Sequence, residues 1–268
     1  MKLAGAPISW GVCEVPGWGH QLPPDRVLSE MRELGLTATE LGPQGYLTPG
    51  LIERYGLRLA GAFVPVVLHD PGHDPLPGLP DDGLLVLAAA TGDDGYDTRP
   101  ELDAAGWATL LGNLDGIAAA LGPRAVLHPH VGTMVETRAE VERVLEGSSM
   151  PLCLDTGHLL VGGTDPAALV EAAPSRIAHV HLKDVDARLA AQVAAGTLAY
   201  TQAVREGVYR PLGRGDVDIE AIVTGLTRSG YDGWYVMEQD VILSGPDDRP
   251  IEDVRRSLAY LDGVLGAG

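Results

Sequence analysis

Histidine and acidic side chains are concentrated between Leu127 and Asp184, where five of the eight histidines of the chain lie. Three short apolar runs in this stretch each close on such residues, namely LHPH at 127–130, LCLD at 152–155 and HVHLKD at 179–184. Neutral imidazoles and carboxylates are the side chains that bind divalent first-row metal ions in proteins. The stretch therefore predicts three adjacent walls of one metal-centred active site.

The candidate ligands come where strand-like runs end, on four consecutive predicted strands. They are His128 and His130 on the fifth strand, Asp155 on the sixth, His179 and His181 on the seventh, and Glu238 on the eighth. Residues two apart in a strand point to the same face, so both members of each histidine pair face one side. The carboxyl ends of parallel strands form one edge, where sites are built. We therefore expect these strands to present an acid or imidazole to one point.

Lys183 is one of only two lysines, against seventeen arginines, and it directly follows the ligand candidates of the seventh strand. Lysine can lose its proton when it is desolvated, whereas arginine cannot. We expect Lys183 to contact the substrate or to transfer a proton. The competing interpretation is a salt bridge with Asp184 or Asp186 at the rim of the site.

Eight apolar, strand-like runs alternate with helical patterns, which predicts a single (β/α)₈ barrel over residues 1–268 rather than a doubly wound sheet. The strands are predicted at Lys2–Trp10, Ala38–Gly42, Arg58–Val67, Gly83–Ala90, Arg124–His130, Pro151–Asp155, Ile177–Lys183 and Trp234–Glu238. The helices are predicted at Pro24–Leu36, Thr48–Tyr55, Arg99–Leu121, Thr137–Leu145, Pro166–Ala173, Leu189–Glu206, Ile219–Ser229 and Ile251–Leu265. Thr137 and Glu140 have the spacing of a capping box. We expect the Pro/Gly/Asp-rich segment Asp70–Asp82 to cover or replace the third helix, and Gly92–Asp97 to be a solvated loop.

The charge and hydropathy of the chain exclude several classes of partner. The formal net charge of −18 opposes binding to a polyanion, so we expect no nucleic acid partner. The sequence has no run of 18 or more apolar residues, so we expect no transmembrane helix and no membrane partner. The N-terminus lacks a signal-peptide pattern, which predicts a cytoplasmic protein. Whether the chain forms a homo-oligomer is left open by the sequence.

Several motifs of the chain resemble a known family. The segments LDTGHL, HVHLKD, PLGRGDVD at 211–218 and GYDGWYVMEQD at 230–240 resemble the xylose-isomerase-like barrel superfamily of sugar isomerases, epimerases and dehydratases. More narrowly, APISWG at 6–11, TELGPQGYL at 39–47 and LHPHVGT followed by Glu136 resemble the inosose dehydratases (2-keto-myo-inositol dehydratases). The resemblance covers nearly the whole chain.

The resemblance implies one divalent metal ion, held in the superfamily by Glu, Asp, His and Glu on the last four strands. The last three positions fall on Asp155, His181 and Glu238, while His128 stands where the first Glu is found. Direct ligation by His128, ligation by His130, or no ligand from this strand are all open. An imidazole in place of a carboxylate makes the site less anionic and favours a softer first-row ion. The expected cofactor is one divalent ion, Mn²⁺ or Co²⁺, with Mg²⁺, Zn²⁺ or Fe²⁺ as alternatives.

The remaining candidate site residues are assigned to catalysis or substrate binding. His158 matches the superfamily's substrate-binding histidine, and a helix-entry hydrogen bond is its alternative role. Glu40 ends the second strand and would bind hydroxyls or act as an acid or base; its alternative is a carboxylate that anchors the barrel floor or a loop. Trp10 would form an apolar wall, or else pack within the barrel. The substrate contacts are completed by His130, His179 and Arg188.

The activity implied is that of a lyase of inositol catabolism, which dehydrates a keto-inositol or similar keto-sugar through a metal-stabilised enediolate. The alternative is a sugar isomerase or epimerase, which would reprotonate the same enediolate. Lys183, His158, Glu40 and the histidine of the fifth strand that does not bind the metal are the candidate acids and bases. Two further alternatives are an endonuclease-like barrel with three metals, which the net charge opposes, and a barrel that has lost catalysis and only binds sugars.

Overall fold

Eight parallel strands close into a barrel in a computed structural model of the chain, which describes residues 1–80 and 83–266. The strands are β1 (Lys2–Gly5), β2 (Ala38–Glu40), β3 (Arg58–Val66), β4 (Leu85–Ala89), β5 (Ala125–Leu127), β6 (Leu152–Asp155), β7 (Ile177–Leu182), β8 (Asp184–Val185), β9 (Tyr209–Arg210) and β10 (Trp234–Met237). The barrel order is β1-β10-β7-β6-β5-β4-β3-β2, and β8 pairs with β9 in a separate two-stranded antiparallel sheet. The predicted (β/α)₈ barrel is confirmed, with β10 as its eighth strand.

Helices surround the barrel and connect its strands. The α-helices are α1 (Pro24–Glu33), α2 (Pro49–Arg54), α3 (Ala104–Leu121), α4 (Arg138–Gly147), α5 (Thr156–Val161), α6 (Pro166–Ala172), α7 (Ala187–Ala194), α8 (Tyr200–Arg205), α9 (Ile219–Arg228) and α10 (Ile251–Gly266). Short 3-10 helices lie at Pro7–Trp10, Leu76–Gly78, Gly122–Arg124 and Pro174–Arg176. Within the described ranges, every helix is too short or too polar to cross a membrane.

Several strands and helices begin or end at residues other than the predicted ones, because turns and helix caps fix their ends. The first strand ends at Gly5, because a 3-10 helix that starts at Pro7 takes up the rest of the run. Helix α3 starts five residues later than predicted, where the side chain of Asp103 accepts a hydrogen bond from the Gly106 N–H at 2.8 Å. The long predicted helix 189–206 is two helices, because Gly196 adopts a φ of 66° that ends α7.

Other local predictions have mixed outcomes. The capping box is confirmed, since the Thr137 N–H donates to Glu140 Oε2 at 2.8 Å. The two-stranded sheet of β8 and β9 and the short helix α5 were not predicted. Residues 70–80 contain turns and one 3-10 helix but no α-helix, as expected for a segment that replaces the third helix, while residues 81 and 82 of that segment lie outside the described ranges.

Small apolar side chains fill the barrel interior beneath the polar groups, which lie at the carboxyl ends of the strands. One buried cluster consists of Ala4, Ala6, Ala38, Ala60 and Val236, and a second of Val86, Val126 and Cys153. The larger apolar side chains pack between the strands and the helices in a separate, continuous core. These apolar clusters enclose the polar residues at the strand ends, several of which are charged.

Candidate metal centre and active-site cleft

Three of the predicted ligands converge at the carboxyl end of the barrel. Asp155 ends β6, His181 lies one residue before the end of β7, and Glu238 directly follows β10. The Nδ1 of His181 lies 3.5 Å from Asp155 Oδ2 and 3.2 Å from Glu238 Oε2. All three side chains are buried, with no more than 9% of their surface exposed. Because β6, β7 and β10 are neighbours in the barrel, their ends bring these groups together.

This donor set fits a divalent cation. The ligand atoms of Asp155, His181 and Glu238 all lie within 4.8 Å of one another. The buried Nδ1 of His181 makes no hydrogen bond and faces Asp155 Oδ2 and Glu238 Oε2, so it is placed to share a cation with these two carboxylates. Asp155 is held in place by its second oxygen, Oδ1, which accepts hydrogen bonds from the N–H groups of Gly157 and His158 at 2.9 and 2.7 Å. Two carboxylates and an imidazole are suitable ligands for a first-row divalent ion.

Of the two histidines after β5, His128 is the one that faces this cluster. Its Nε2 lies 3.3 Å from Asp155 Oδ2. His130 instead donates from Nδ1 to the Val131 carbonyl oxygen at 2.7 Å, and its ring stacks on His158 with 3.7 Å between centroids. The neutral ring of His130 therefore presents its Nε2 as an acceptor. Burial lowers the pKa of His130 well below its usual value, and the nearby His128 and Lys183 lower it further.

Lys183 places a buried ammonium among three carboxylates. Its Nζ lies 3.2 Å from Asp155 Oδ2, 3.0 Å from Glu238 Oε2 and 2.9 Å from Asp240 Oδ1. Burial opposes the charge, but Asp155, Asp240 and Glu238 outweigh it and raise the pKa of Lys183 well above its usual value. The group is therefore a protonated donor. The predicted alternative, a rim salt bridge with Asp184 or Asp186, is not formed.

Two neighbouring residues determine where the Lys183 side chain runs. Thr156 fixes its backbone, because the threonine hydroxyl accepts from the Lys183 N–H at 2.8 Å and donates to its carbonyl oxygen at 2.7 Å. Gly157 leaves space for the side chain, since a Cβ added there would lie 2.8 Å from the Cγ and Cδ of Lys183. In the DTGH sequence at 155–158, Asp155 is a candidate metal ligand, Thr156 holds the backbone of Lys183, and Gly157 leaves space for the lysine side chain.

A cleft that is open to solvent lies above these groups. Its polar floor includes His128, His130, His181, Lys183 and Glu238. Its walls are largely apolar and come from Ala6, Pro7, Ile8, Val12, Trp18, Pro43, Phe63 and Tyr96. The cleft can therefore orient a small polar ring at one face and shield it from water at the other.

Two of the predicted substrate contacts lie away from the cleft. Trp10 is fully buried in the apolar core, and its indole N–H donates to Glu30 Oε2 on α1 at 2.7 Å. The prediction that Trp10 forms the wall is wrong, because the chain turns into a 3-10 helix before it. Arg188 is exposed on α7 and does not line the cleft, since this helix faces solvent at that position.

His158 and His179 are central to the site but do not line the cleft. His158 lies behind His130, where its Nδ1 is 3.3 Å from both the Val131 N–H nitrogen and the Tyr209 hydroxyl. His179 lies one layer below His181, because residues two apart on a strand are separated by roughly 6.6 Å along it. Its Nε2 donates to Glu40 Oε1 at 2.7 Å. Lys183 and His181 are equally buried but border the cleft, whereas His158 and His179 do not, so direct substrate contact does not fit either histidine.

Sequence reasoning missed several residues of the cleft. Asp240 borders it and accepts from the Tyr200 hydroxyl at 2.7 Å through Oδ2. The sequence did offer a signal for Asp240. It lies two residues after Glu238, and side chains two residues apart in an extended segment point to the same face. Tyr96 was assigned to a solvated loop, but its ring packs on His130 with 4.4 Å between centroids and its hydroxyl bonds to Glu14. Its sequence context gave no sign of this contact.

The GRG part of the PLGRGDVD motif has a structural role. The carboxylate of Asp184 accepts hydrogen bonds from the backbone N–H groups of Gly213, Arg214, Gly215 and Val217, at 2.8 to 3.1 Å. A Cβ at Gly215 would lie 2.3 Å from Asp184 Oδ1, so only glycine fits there. The buried Asp184 therefore anchors the loop after β9 to β8.

Comparisons with known proteins agree with this architecture. The sequence model of the family described as "Xylose isomerase-like TIM barrel" matches residues 82–262. A crystal structure of the IOLI protein with a binding zinc atom has a TM-score of 0.67 and 13% identity, covering 100% of this chain and 99% of that chain. At that level of identity, the likeness shows the fold alone.

Two curated relatives are similar over most of their length. The rhizopine catabolism protein MocC of Rhizobium meliloti is 34% identical over 265 residues, which cover 90% of this chain and 82% of that protein. An inosose dehydratase of Geobacillus kaustophilus is 34% identical over 276 residues, which cover 91% of this chain and 90% of that protein. The similarity therefore covers about nine tenths of this chain.

Proposed function

The chain is an enzyme of the xylose isomerase-like TIM barrel family, and we propose that it is a hydro-lyase that dehydrates a keto-inositol or a similar keto-sugar. The observation that carries the proposal is the convergence of Asp155, His181 and Glu238 within 4.8 Å, beside the buried ammonium of Lys183. The 34% identity to an inosose dehydratase over nearly the whole chain supports this class of substrate.

In this proposal Asp155, His181 and Glu238 hold one divalent ion, with His128 as the candidate fourth ligand. His128 is favoured over His130 because its Nε2 lies 3.3 Å from Asp155 Oδ2, whereas His130 Nδ1 is bonded to a backbone carbonyl. Mn²⁺ or Co²⁺ suits a set of imidazoles and carboxylates. Such an ion, when bound, supplies a Lewis acid that polarises a substrate carbonyl.

The Nε2 of His130 is the proposed acceptor for the proton on the carbon next to that carbonyl. Donation from Nδ1 to the Val131 carbonyl fixes the tautomer, so the lone pair of the neutral ring is at Nε2. Stacking on His158 at 3.7 Å between centroids holds the ring plane. His130 lines the cleft, which allows a substrate carbon to reach it.

Lys183 is the proposed donor to the departing β-hydroxyl. Its ammonium lines the cleft and holds its proton through contacts with three carboxylates. The substrate loses one proton to His130 Nε2, and its β-hydroxyl leaves with a proton from Lys183 Nζ. The net loss is one water molecule, and proton exchange with solvent restores both groups. Phe63, Tyr96 and Trp18 keep bulk water from this chemistry.

Proton NMR in D₂O with 2-keto-myo-inositol and with ketoses tests the proposal. We expect signals of a dehydrated diketone from the keto-inositol, and their loss when metal is removed with a chelator. Arg188→Ala, which changes an exposed residue outside the cleft, is the matched control and should keep full activity. Epimers without dehydration would refute the hydro-lyase, and full turnover by metal-free protein would refute metal dependence.

The cytoplasmic location expected from the sequence stays a prediction that cell fractionation would check.

A further inference from the structure

The two ring nitrogens of His181 face opposite groups. Nδ1 is directed toward Asp155 Oδ2 and Glu238 Oε2, at 3.5 and 3.2 Å. Nε2 lies on the other side of the ring, 3.0 Å from Glu40 Oε1. Each nitrogen therefore has its own acidic neighbourhood, and the location of the ring proton decides which of the two can bind a cation.

Glu40 determines that location. An ionised carboxylate can only accept hydrogen bonds, so the Nε2 atoms of His179 and His181, at 2.7 and 3.0 Å, must both donate to it. With its proton on Nε2, the neutral ring of His181 has its lone pair on Nδ1. That nitrogen is the one that is buried without a hydrogen bond and faces the two candidate metal-binding carboxylates.

Two separate features of the local backbone direct Glu40 to this position. The pairing of β2 with β3 shifts register between Thr39 and Glu40, a bulge that re-aims a side chain. The residue opposite Glu40 is Gly61, where an added Cβ would lie 3.1 Å from Glu40 Oε1. The missing side chain on β3 therefore provides the space that the carboxylate occupies.

We propose that Glu40 is a positioning residue, which holds His181 in the Nε2–H tautomer and thereby presents Nδ1 to the divalent ion. His179 supports it by donating to the same oxygen, which restrains the carboxylate from below. This role replaces the acid–base function predicted for Glu40 from the sequence. The inference rests on the proposed metal site, and it assigns no contact between Glu40 and the ion or the substrate.

Metal affinity of Glu40→Gln tests the proposal directly. A glutamine keeps the size of the side chain, but its neutral oxygen is a weaker acceptor for two imidazole N–H groups. Loss of such a partner typically weakens metal binding roughly 10- to 100-fold. Titration of metal-free protein with Co²⁺, followed by calorimetry and by the visible absorption of bound Co²⁺, should show this loss and an altered spectrum.

Glu30→Gln is the matched control. Glu30 also accepts from a buried ring N–H, that of Trp10 at 2.7 Å, but it lies outside the cleft, so its variant should bind Co²⁺ like the wild type. Wild-type affinity in Glu40→Gln would overturn the inference and leave the proposed function intact. Absence of Co²⁺ binding by the wild type would instead overturn the proposed metal site.

A second measurement needs no variant and therefore does not depend on whether Glu40→Gln folds. Long-range ¹H–¹⁵N NMR spectra of the wild-type protein, loaded with diamagnetic Zn²⁺, report which ring nitrogen of His181 carries the proton. We expect a protonated Nε2 and a metal-bound Nδ1. A protonated Nδ1 would overturn the assignment of Glu40 as the residue that sets the tautomer.

Discussion

Replacing Lys183 by methionine separates the stability, metal-binding and catalytic consequences of its ammonium. The side chain is 2% exposed and lies 2.9 to 3.2 Å from oxygens of Asp155, Glu238 and Asp240. Removing one partner of a buried ion pair costs about 3–5 kcal/mol, because the remaining charge is left uncompensated. For a chain of this size, that corresponds to a fall of roughly 6–20 °C in Tm. Calorimetry in the presence of EDTA would measure it.

The same variant should bind a divalent ion more tightly than the wild type. The ammonium shares Asp155 Oδ2 and Glu238 Oε2 with the proposed metal site, so its removal eliminates a competing positive charge. Turnover should nevertheless fall about 10²–10⁴-fold, the usual contribution of a general acid. Weaker metal binding by Lys183→Met would show that the ammonium does not compete with the ion for these two oxygens.

Lys183→Arg provides the complementary perturbation. A guanidinium keeps the positive charge but does not release a proton at neutral pH, so it cannot act as the acid. We expect it to recover part of the stability lost in Lys183→Met without recovering kcat. Wild-type kcat in the arginine variant would refute proton donation by Lys183 and leave only an electrostatic role.

Three further predictions follow from single contacts. His130→Gln should lower kcat about 10²–10⁴-fold, because it removes the proposed base, and should leave Co²⁺ affinity unchanged; a normal kcat would exclude His130 as the base. Gly157→Ala should lower kcat about 100-fold, since its Cβ would lie 2.8 Å from the Lys183 side chain and displace it. Unaltered kinetics in this variant would show that the placement of the lysine does not matter. Asp184→Ala should destabilise the protein by about 3 kcal/mol or more in urea unfolding, because it leaves four backbone N–H groups of residues 213–217 without their acceptor. A loss below about 1 kcal/mol would contradict the anchoring role of Asp184.

The barrel was predictable because its strands are apolar runs that end in polar residues, while its helices carry cap and stop signals. The strand-end rule also brought Asp155, His181 and Glu238 together, since neighbouring parallel strands end at the same edge. The rule does not show how far along the barrel axis each side chain lies. His179 and His181 share a face, but only one of them reaches the layer of the candidate ligands.

Long-range contacts explain what sequence patterns could not supply. The role of Glu40 depends on a bulge and on Gly61 of the neighbouring strand, which no local motif shows. Tyr96 reaches His130 from a loop whose composition is that of a solvated turn. Trp10 was misplaced because the proline that starts the 3-10 helix turns the chain away from the strand direction.

Anomalous diffraction from crystals grown with Mn²⁺ would locate the proposed divalent ion. We expect one strong anomalous peak per chain, within bonding distance of Asp155, His181 Nδ1 and Glu238. A map with no peak among these three side chains, or with a Mn²⁺ ion bound elsewhere in the barrel mouth, would contradict it.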